Sequence, residues 1–506
     1  MSLSFFARLA HRHRPTTLAE RREFLKASLA LGAGLVLSRR ATAGAIFGRS
    51  LSAKKVVVVG GGFAGLACAH ELHTAGHDVT VVEATSKVGG RVLSLNVANN
   101  NALIAGKNVE GGGELIGSNH PLWVAYAEKF GLSFLDVLES ERDYPIYLGG
   151  KMISGEESSK LYEEFEAALQ TMDVDAENVD PDAPWTHPNA DSLDKRTLAD
   201  WLKDVTASDL AKSAIAAQLS GDNGVANDRA SYLGMLTAIK GGGLDKYWTQ
   251  SEVYRCKGGN QQLALRFASE LGERVITRLS VRSIDIPEKG NVKVVCSDAR
   301  TLECDCVVVA VAPSVWQRIA FTPALPTELA HGKNSTSSGV QMGVATKFLS
   351  PVKSPFWEGQ NLDSMCLGDD QFSWTWDATL GQTNASQESC LTAFSGGAIA
   401  ERVRAQVADA RIKAYADTFE KIFKGYGDQK SAKPTFMDWP GFPFVGGGYS
   451  FPAPGQVTSV APLLNQSHSR GKLHFAGEAC CLKFVGYMEG ALQSGVAVAK
   501  RIANES

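Results

Sequence analysis

From Lys54 the chain reads KKVVVVGGGFAG, four consecutive valines with charge on one side and glycines on the other. A short unbroken apolar run of this kind predicts a strand buried on both faces, and the glycines predict a tight turn into a helix. DVTVVE at 78–83 predicts the next strand, so the segment forms a βαβ unit of a parallel sheet. Between about Gly258 and Pro313, the runs VRSIDI, VKVVC and CDCVVVAVAP predict further strands separated by turns. A last segment begins near Trp439 and ends in a helix from about Gly486.

Two stretches of different character lie between. Ser154 with Glu157 predicts a capping box opening a helix that carries Leu161, Phe165, Ala168, Leu169 and Met172 on one face. Residues 173–192 hold six acidic residues, three prolines and no Lys or Arg, a pattern that predicts a long surface loop. Residues 398–423 again predict helix. The expected fold is α/β: a doubly wound, Rossmann-like nucleotide domain (54–114, 256–313 and 431–506) with an interleaved α+β substrate domain (115–255 and 314–430).

Length and charge refine this picture. With 506 residues and 50 glycines the chain has ample core, and its formal net charge of −3 conceals an uneven start. Residues 1–43 carry eight Lys/Arg and two Asp/Glu, or +6, which leaves −9 for the remainder. An acidic body argues against general nucleic-acid binding. Arg21-Arg22 followed by Phe-Leu-Lys, an apolar run at 27–37 and then Ala41-Thr42-Ala43 resembles a twin-arginine export signal. It departs from that signal at Glu20, where Ser or Thr is usual. Removal near Ala43 and a periplasmic or extracellular protein without stable membrane insertion are the expectation; an amphipathic helix or an uncleaved anchor are the alternatives. The nine cysteines are an odd number without metal-ligand spacing, which favours buried thiols and leaves a disulfide open.

Gly60, Gly62 and Gly65 fit G-x-G-x-x-G, with Ala64 inside the motif. The first glycine permits the turn, the second lets backbone approach a pyrophosphate, and the third lets the helix pack on the strand. Glu83 ends the second strand, where a carboxylate can accept from ribose hydroxyls. NAD and FAD both satisfy this pattern.

The residues after Glu83 separate the two cofactors. EATSKVGGRVLS, with Gly90 and Arg91, resembles the second signature of flavin-containing amine oxidases, and VEGGGELIG, with Gly112 and Gly113, resembles their glycine-rich turn beside the flavin. LGERVITRLSVRSID is similar to the segment whose backbone holds the adenine and places Val281 at that contact. LHFAGEACCLKFVGYMEGALQSG resembles the C-terminal flavin signature, with Gly477, Glu478 and Met488 at cofactor positions. The chain is therefore identified as resembling the flavin monoamine oxidase and L-amino-acid oxidase family. That resemblance implies FAD, a small amine or amino-acid substrate, and O2 as acceptor. It further implies Lys347 as the lysine holding a water near the flavin, Tyr449 and Tyr487 as aromatic walls around the amine, and Trp439 packed near the flavin. Some relatives attach FAD through a cysteine before the tyrosine matched by Tyr449; Gly448 stands there, so noncovalent FAD is expected.

Substrate choice is less settled by sequence. Snake-venom-type L-amino-acid oxidases carry an arginine where Glu114 stands, but other details resemble exported bacterial L-amino-acid oxidases. Oxidation of L-amino acids to 2-oxo acids, ammonia and peroxide is the expectation, with Arg255 as candidate carboxylate receptor. The alternative is a primary-amine or polyamine oxidase in which Glu114 meets a distal ammonium. Trp374 and Trp376 alternate along a predicted strand, so at most one should line the pocket. The twin-arginine machinery during export is an expected partner, and a homodimer is left open.

Overall fold

The computed structural model describes residues 52–96, 98–137, 142–330, 339–383 and 386–505. The expected leader at 1–43 lies outside them. Lys55–Val59 is the central strand of a five-stranded parallel sheet in the order Leu473–Phe475, Cys306–Val309, Lys55–Val59, Asp78–Val82, Val275–Ile276. Val56, Val57 and Val58 are wholly buried, as a strand covered on both faces requires. On one face Val56 and Val58 pack with Leu66 and Ala67 of the helix Phe63–Thr74 and with Val498 of the C-terminal helix Met488–Asn504. The two helices approach closely at Gly495, where a Cβ would lie 2.3 Å from the Ala64 carbonyl oxygen.

The other face is covered by a second sheet. VRSIDI and VKVVC do not extend the parallel sheet; they form Val281–Asp285 and Val292–Cys296 in a four-stranded sheet with Thr301–Cys304 and Ala320–Thr322. Ile284, Val292 and Val294 pack on Val57 and Val59. The run CDCVVV is split by this arrangement, with Cys304 ending one sheet and Cys306 beginning the other. All nine cysteines are buried and unpaired.

The second region is built on a seven-stranded sheet: Thr435–Asp438, Ala345–Val352, Ser389–Gly396, Trp374–Asp377, Cys366–Gly368, Ile146–Leu148, Lys151–Ile153. Helices Gly155–Ala176, Asp209–Asn223 and Tyr232–Gly242 share a core with it. Two expected boundaries shift. Ala320–Thr322 pairs with Val281–Asp285, so the nucleotide-side sheets continue beyond 313, and Thr435–Asp438 pairs with Ala345–Val352, so the return comes after 438 and not at 431.

Two local expectations are also corrected. Ser154 is the N-cap residue, but its side chain makes no capping bond; a reciprocal box forms instead at Thr197 and Asp200. The acidic stretch from 173 is not a plain loop, because the helix continues to Ala176 and further helical turns occupy Pro184–Thr186 and Ala190–Lys195. Two of its acids are engaged by aromatic donors: Trp248 Nε1 donates to Asp173 at 2.9 Å and the Tyr232 hydroxyl to Asp175 at 2.6 Å. The 398–423 stretch forms two helices, Gly397–Ala405 and Ala408–Ile422. Among the described residues no helix is long and apolar enough to cross a membrane.

A Cβ at Gly65 would lie 2.0 Å from the Gly60 carbonyl oxygen and 3.2 Å from Ala310 Cβ. Gly65→Ala is therefore expected to destabilise the protein by about 1–3 kcal/mol through overpacking. Denaturant unfolding checks this, and an unchanged midpoint would contradict the packing described.

Candidate active site

The first strand is followed by Gly60, whose φ of +115° and contact with Ala310 (a Cβ would lie 2.6 Å from its carbonyl oxygen) admit only glycine. The turn is then locked by Glu83. One carboxylate oxygen accepts from Gly61 N at 2.8 Å, and the other accepts from Thr85 N and Oγ1 at 2.7 Å each. A continuous cavity of about 2000 Å³, including its solvent-open mouth, begins at this turn.

Most of the residues singled out from the sequence meet in that cavity. Gly60, Gly62, Ala64, Glu83, Gly90 and Arg91 line it, as do Gly112, Gly113 and Trp439. Gly477, Glu478 and Met488 contribute from the last segment, and Lys347, Tyr449, Tyr487 and Glu114 complete the group. Gly65 packs beneath the turn and does not face the cavity. Val281, expected at the adenine through its backbone, has its side chain buried among Val57, Val59 and Val82.

The walls fit a dinucleotide. A Cβ on Gly62 would meet nothing nearer than Gly90 Cα at 4.0 Å, and one on Gly477 nothing within 4 Å, so side chains at either position would occupy the cavity itself. Helices Phe63–Thr74 and Met488–Asn504 both begin at this wall without side-chain caps, which leaves backbone N–H groups available to phosphate and to a ring carbonyl. Trp439 donates from Nε1 to the Gly111 carbonyl at 2.9 Å and packs against Gly112, where a Cβ would lie 2.8 Å from the indole.

Glu478 organises the last segment. It accepts from Arg91 Nη1 at 2.8 Å, Ser450 N at 3.1 Å, Ser450 Oγ at 2.6 Å and Gly486 N at 2.9 Å. Those contacts fix the loops that carry Tyr449 and Tyr487. The Tyr449 hydroxyl donates to the Gly221 carbonyl at 2.9 Å. His120 packs edge-on against Tyr487, with centroids 5.1 Å apart. Burial lowers the His120 pKa to about 3, so the ring is neutral, and its Nδ1 accepts from Gly117 N at 2.8 Å.

The electrostatic centre is Glu114. Lys347 Nζ lies 2.6 Å from Oε2, Arg255 Nε 2.7 Å from Oε1, and Trp376 Nε1 donates to Oε1 at 2.9 Å. Lys347 also donates to the Glu110 carbonyl at 3.1 Å. Burial alone would raise the Glu114 pKa, but the charges of Lys347 and Arg255 outweigh it and hold the carboxyl below the ordinary range. Two expectations change here. Arg255, the candidate carboxylate receptor, is buried with its Nε against Glu114 and does not line the cavity. Glu114 lines the cavity, but both its oxygens are engaged by protein groups, so it is not free to receive a distal ammonium. Trp374 and Trp376 lie on the expected strand and are both buried; neither lines the cavity.

Sequence reasoning missed several residues. Glu252 lines the cavity beside Tyr487, and Asp222 and Tyr247 interact electrostatically with both Glu252 and Tyr487. Phe442 and Phe444, partly exposed, stand in the same wall as Trp439. An aromatic pair spaced around Pro443 near Trp439 was a usable signal for the last two. Nothing local marks Asp222 or Glu252.

Residues 63–503 match the family of flavin-containing amine oxidoreductases, and the chain belongs to that family. Its cofactor is FAD. Flavin-containing amine oxidase A of Sus scrofa is 26% identical over 471 residues, covering 89% of this chain and 85% of that protein. The L-amino acid dehydrogenase of Synechocystis sp. is 24% identical over 462 residues, covering 88% and 94%. Among solved structures, cyclohexylamine oxidase from Brevibacterium oxydans superposes with a TM-score of 0.78 at 25% identity, covering 90% of this chain and 99% of that one. A redesigned putrescine oxidase gives 0.79 at 22% identity, covering 90% and 99%, which speaks for the fold.

Glu478→Gln replaces an anion that holds Arg91 and three further donors. A loss of about 3 kcal/mol in apparent unfolding free energy is expected, with weaker flavin retention. Chemical denaturation and the flavin-to-protein absorbance ratio check it; wild-type values in both would contradict the role given to Glu478.

Proposed function

We propose that the protein is an FAD-dependent oxidase of primary amines that converts them to imines, which hydrolyse to carbonyl compounds and ammonia, with O2 as acceptor and hydrogen peroxide released. The observation that carries this reading is the charge balance of the pocket. Tyr449, Tyr487 and Lys347 share the wall with Glu252, while the candidate arginine for a carboxylate is already paired with Glu114.

Bound FAD supplies the two-electron acceptor; the protein's task is to present the amine. Burial holds the Tyr449 and Tyr487 hydroxyls well above their usual pKa, so both walls are neutral. A desolvated aromatic slot favours the neutral amine, whose lone pair oxidation requires, and orients the bond to be broken. Lys347 has three N–H donors, two of which serve Glu110 and Glu114. The third is available to a water on the cavity side. Noncovalent FAD is supported by Gly448, where a Cβ would already lie 2.7 Å from Ala345 Cβ and a cysteine would not fit. Cys480 lines the cavity, but burial pushes its thiol pKa far up and leaves it a poor nucleophile. Export by the twin-arginine route is part of this proposal, on the strength of Arg21-Arg22 and the apolar run after them.

Oxidation of L-amino acids is the second reading, and one observation favours it. Arg255 Nη1 is buried without an acceptor among the described residues, and its Nε contact with Glu114 lacks hydrogen-bond alignment. The similarity to an L-amino acid dehydrogenase points the same way.

Peroxide release from matched pairs, such as phenethylamine with L-phenylalanine, separates the readings: the amine is expected to be oxidised at the higher kcat/KM. In Arg255→Met the ratio of the two values should stay within about threefold, whereas a selective loss of tenfold or more for the amino acid would establish the second reading. Acid precipitation should release the flavin into the supernatant; a yellow pellet would contradict noncovalent binding.

A further inference from the structure

We propose that Glu252 and Asp222 form an anionic subsite that receives a second positive charge on the substrate, so that the preferred amines are dications carrying an ammonium or guanidinium group besides the amine that is oxidised. This rests on the amine-oxidase reading and specifies the substrate class for the same pocket. Glu252 lines the cavity and is only 5% exposed, and its Oε2 is buried without a hydrogen-bond partner. Asp222 stands behind the wall and does not itself line it: it follows Gly221, whose carbonyl accepts from the Tyr449 hydroxyl, and its Oδ1 is likewise buried without a hydrogen-bond partner. The two carboxyls approach from separate elements, Asp222 from the helix Asp209–Asn223 and Glu252 from the segment before the strand Tyr254–Cys256.

Both carboxyls act electrostatically on Tyr449 and on Tyr487, which places them around the aromatic slot. Burial, together with the Asp222 charge in the case of Glu252, raises the pKa of each. Among the described residues neither carboxylate pairs with a Lys, Arg or His side chain, in contrast to Glu114, which has two cations of its own. A buried acid without a counter-cation is costly, and an incoming cation would relieve that cost. A substrate with a neutral tail would leave it in place. The selection is therefore for charge at the tail.

The ammonium could belong to a diamine or to the side chain of a basic amino acid, and the assay distinguishes them. Peroxide release is measured with 1,4-diaminobutane against butylamine and with L-lysine against L-norleucine, in wild type, Glu252→Gln and Asp222→Asn. In wild type the dicationic member of at least one pair should have the higher kcat/KM by about tenfold or more. Each substitution should lower that preference by about tenfold, chiefly through KM, with flavin absorbance reporting that the variant is folded and loaded. If one variant fails to fold, the other carries the test. Amine oxidation without preference for the dication, or a preference that survives both substitutions, would overturn the subsite while leaving the amine-oxidase reading intact. Failure of every amine and amino acid to reduce the flavin would overturn both.

Discussion

The buried carboxylate of Glu114 is the point on which the site turns. It lies just beyond the strand Val109–Glu110 and binds Lys347 from the strand Ala345–Val352, Arg255 from Tyr254–Cys256 and Trp376 from Trp374–Asp377. An isolated charge at this depth would shift its pKa or disrupt the fold. With two cations and an indole N–H around it, the anion instead becomes a rigid junction between the seven-stranded sheet and the glycine-rich wall. Lys347 is held there by a charge-assisted contact and by the Glu110 carbonyl, which leaves little freedom in where its remaining N–H points.

Close backbone approach does the complementary work on the dinucleotide side. Gly60, Gly65 and Gly495 allow strand, turn and two helices to meet at separations no side chain would tolerate. Glu478 then ties Arg91 to the loops bearing Tyr449 and Tyr487. The same residues that shape the cofactor groove thereby set the position of the aromatic slot, so cofactor binding and substrate orientation share one hydrogen-bonded frame.

The parts of this arrangement readable from sequence were those written in local pattern. Four valines before three glycines specify a buried strand and a turn regardless of the rest of the chain, and Glu83 falls where the second strand must end. The fate of Glu114 and Arg255 could not be read in this way, since their pairing is made by tertiary contact between distant segments. Asp173 and Asp175 misled for a related reason: acidic residues that suggest a solvated loop are bonded to Trp248 and Tyr232. Residues 281–285 and 292–296 had the expected strand character, but their sheet could not be read from it, because alternation fixes which face is buried and not which partner covers it. Asp222 and Glu252 gave no sequence signal at all, and only burial beside the tyrosines distinguishes them from other surface-type acids.

The central role of the Glu114–Lys347 pair is tested most directly by a double-mutant cycle, using Glu114→Gln, Lys347→Met and the combined variant, with apparent unfolding free energy as the readout. Each single change leaves a buried charge poorly compensated, so the double variant is expected to be less destabilised than the sum of the singles by at least about 2 kcal/mol. Additivity to within about 0.5 kcal/mol would contradict a central role for this ion pair.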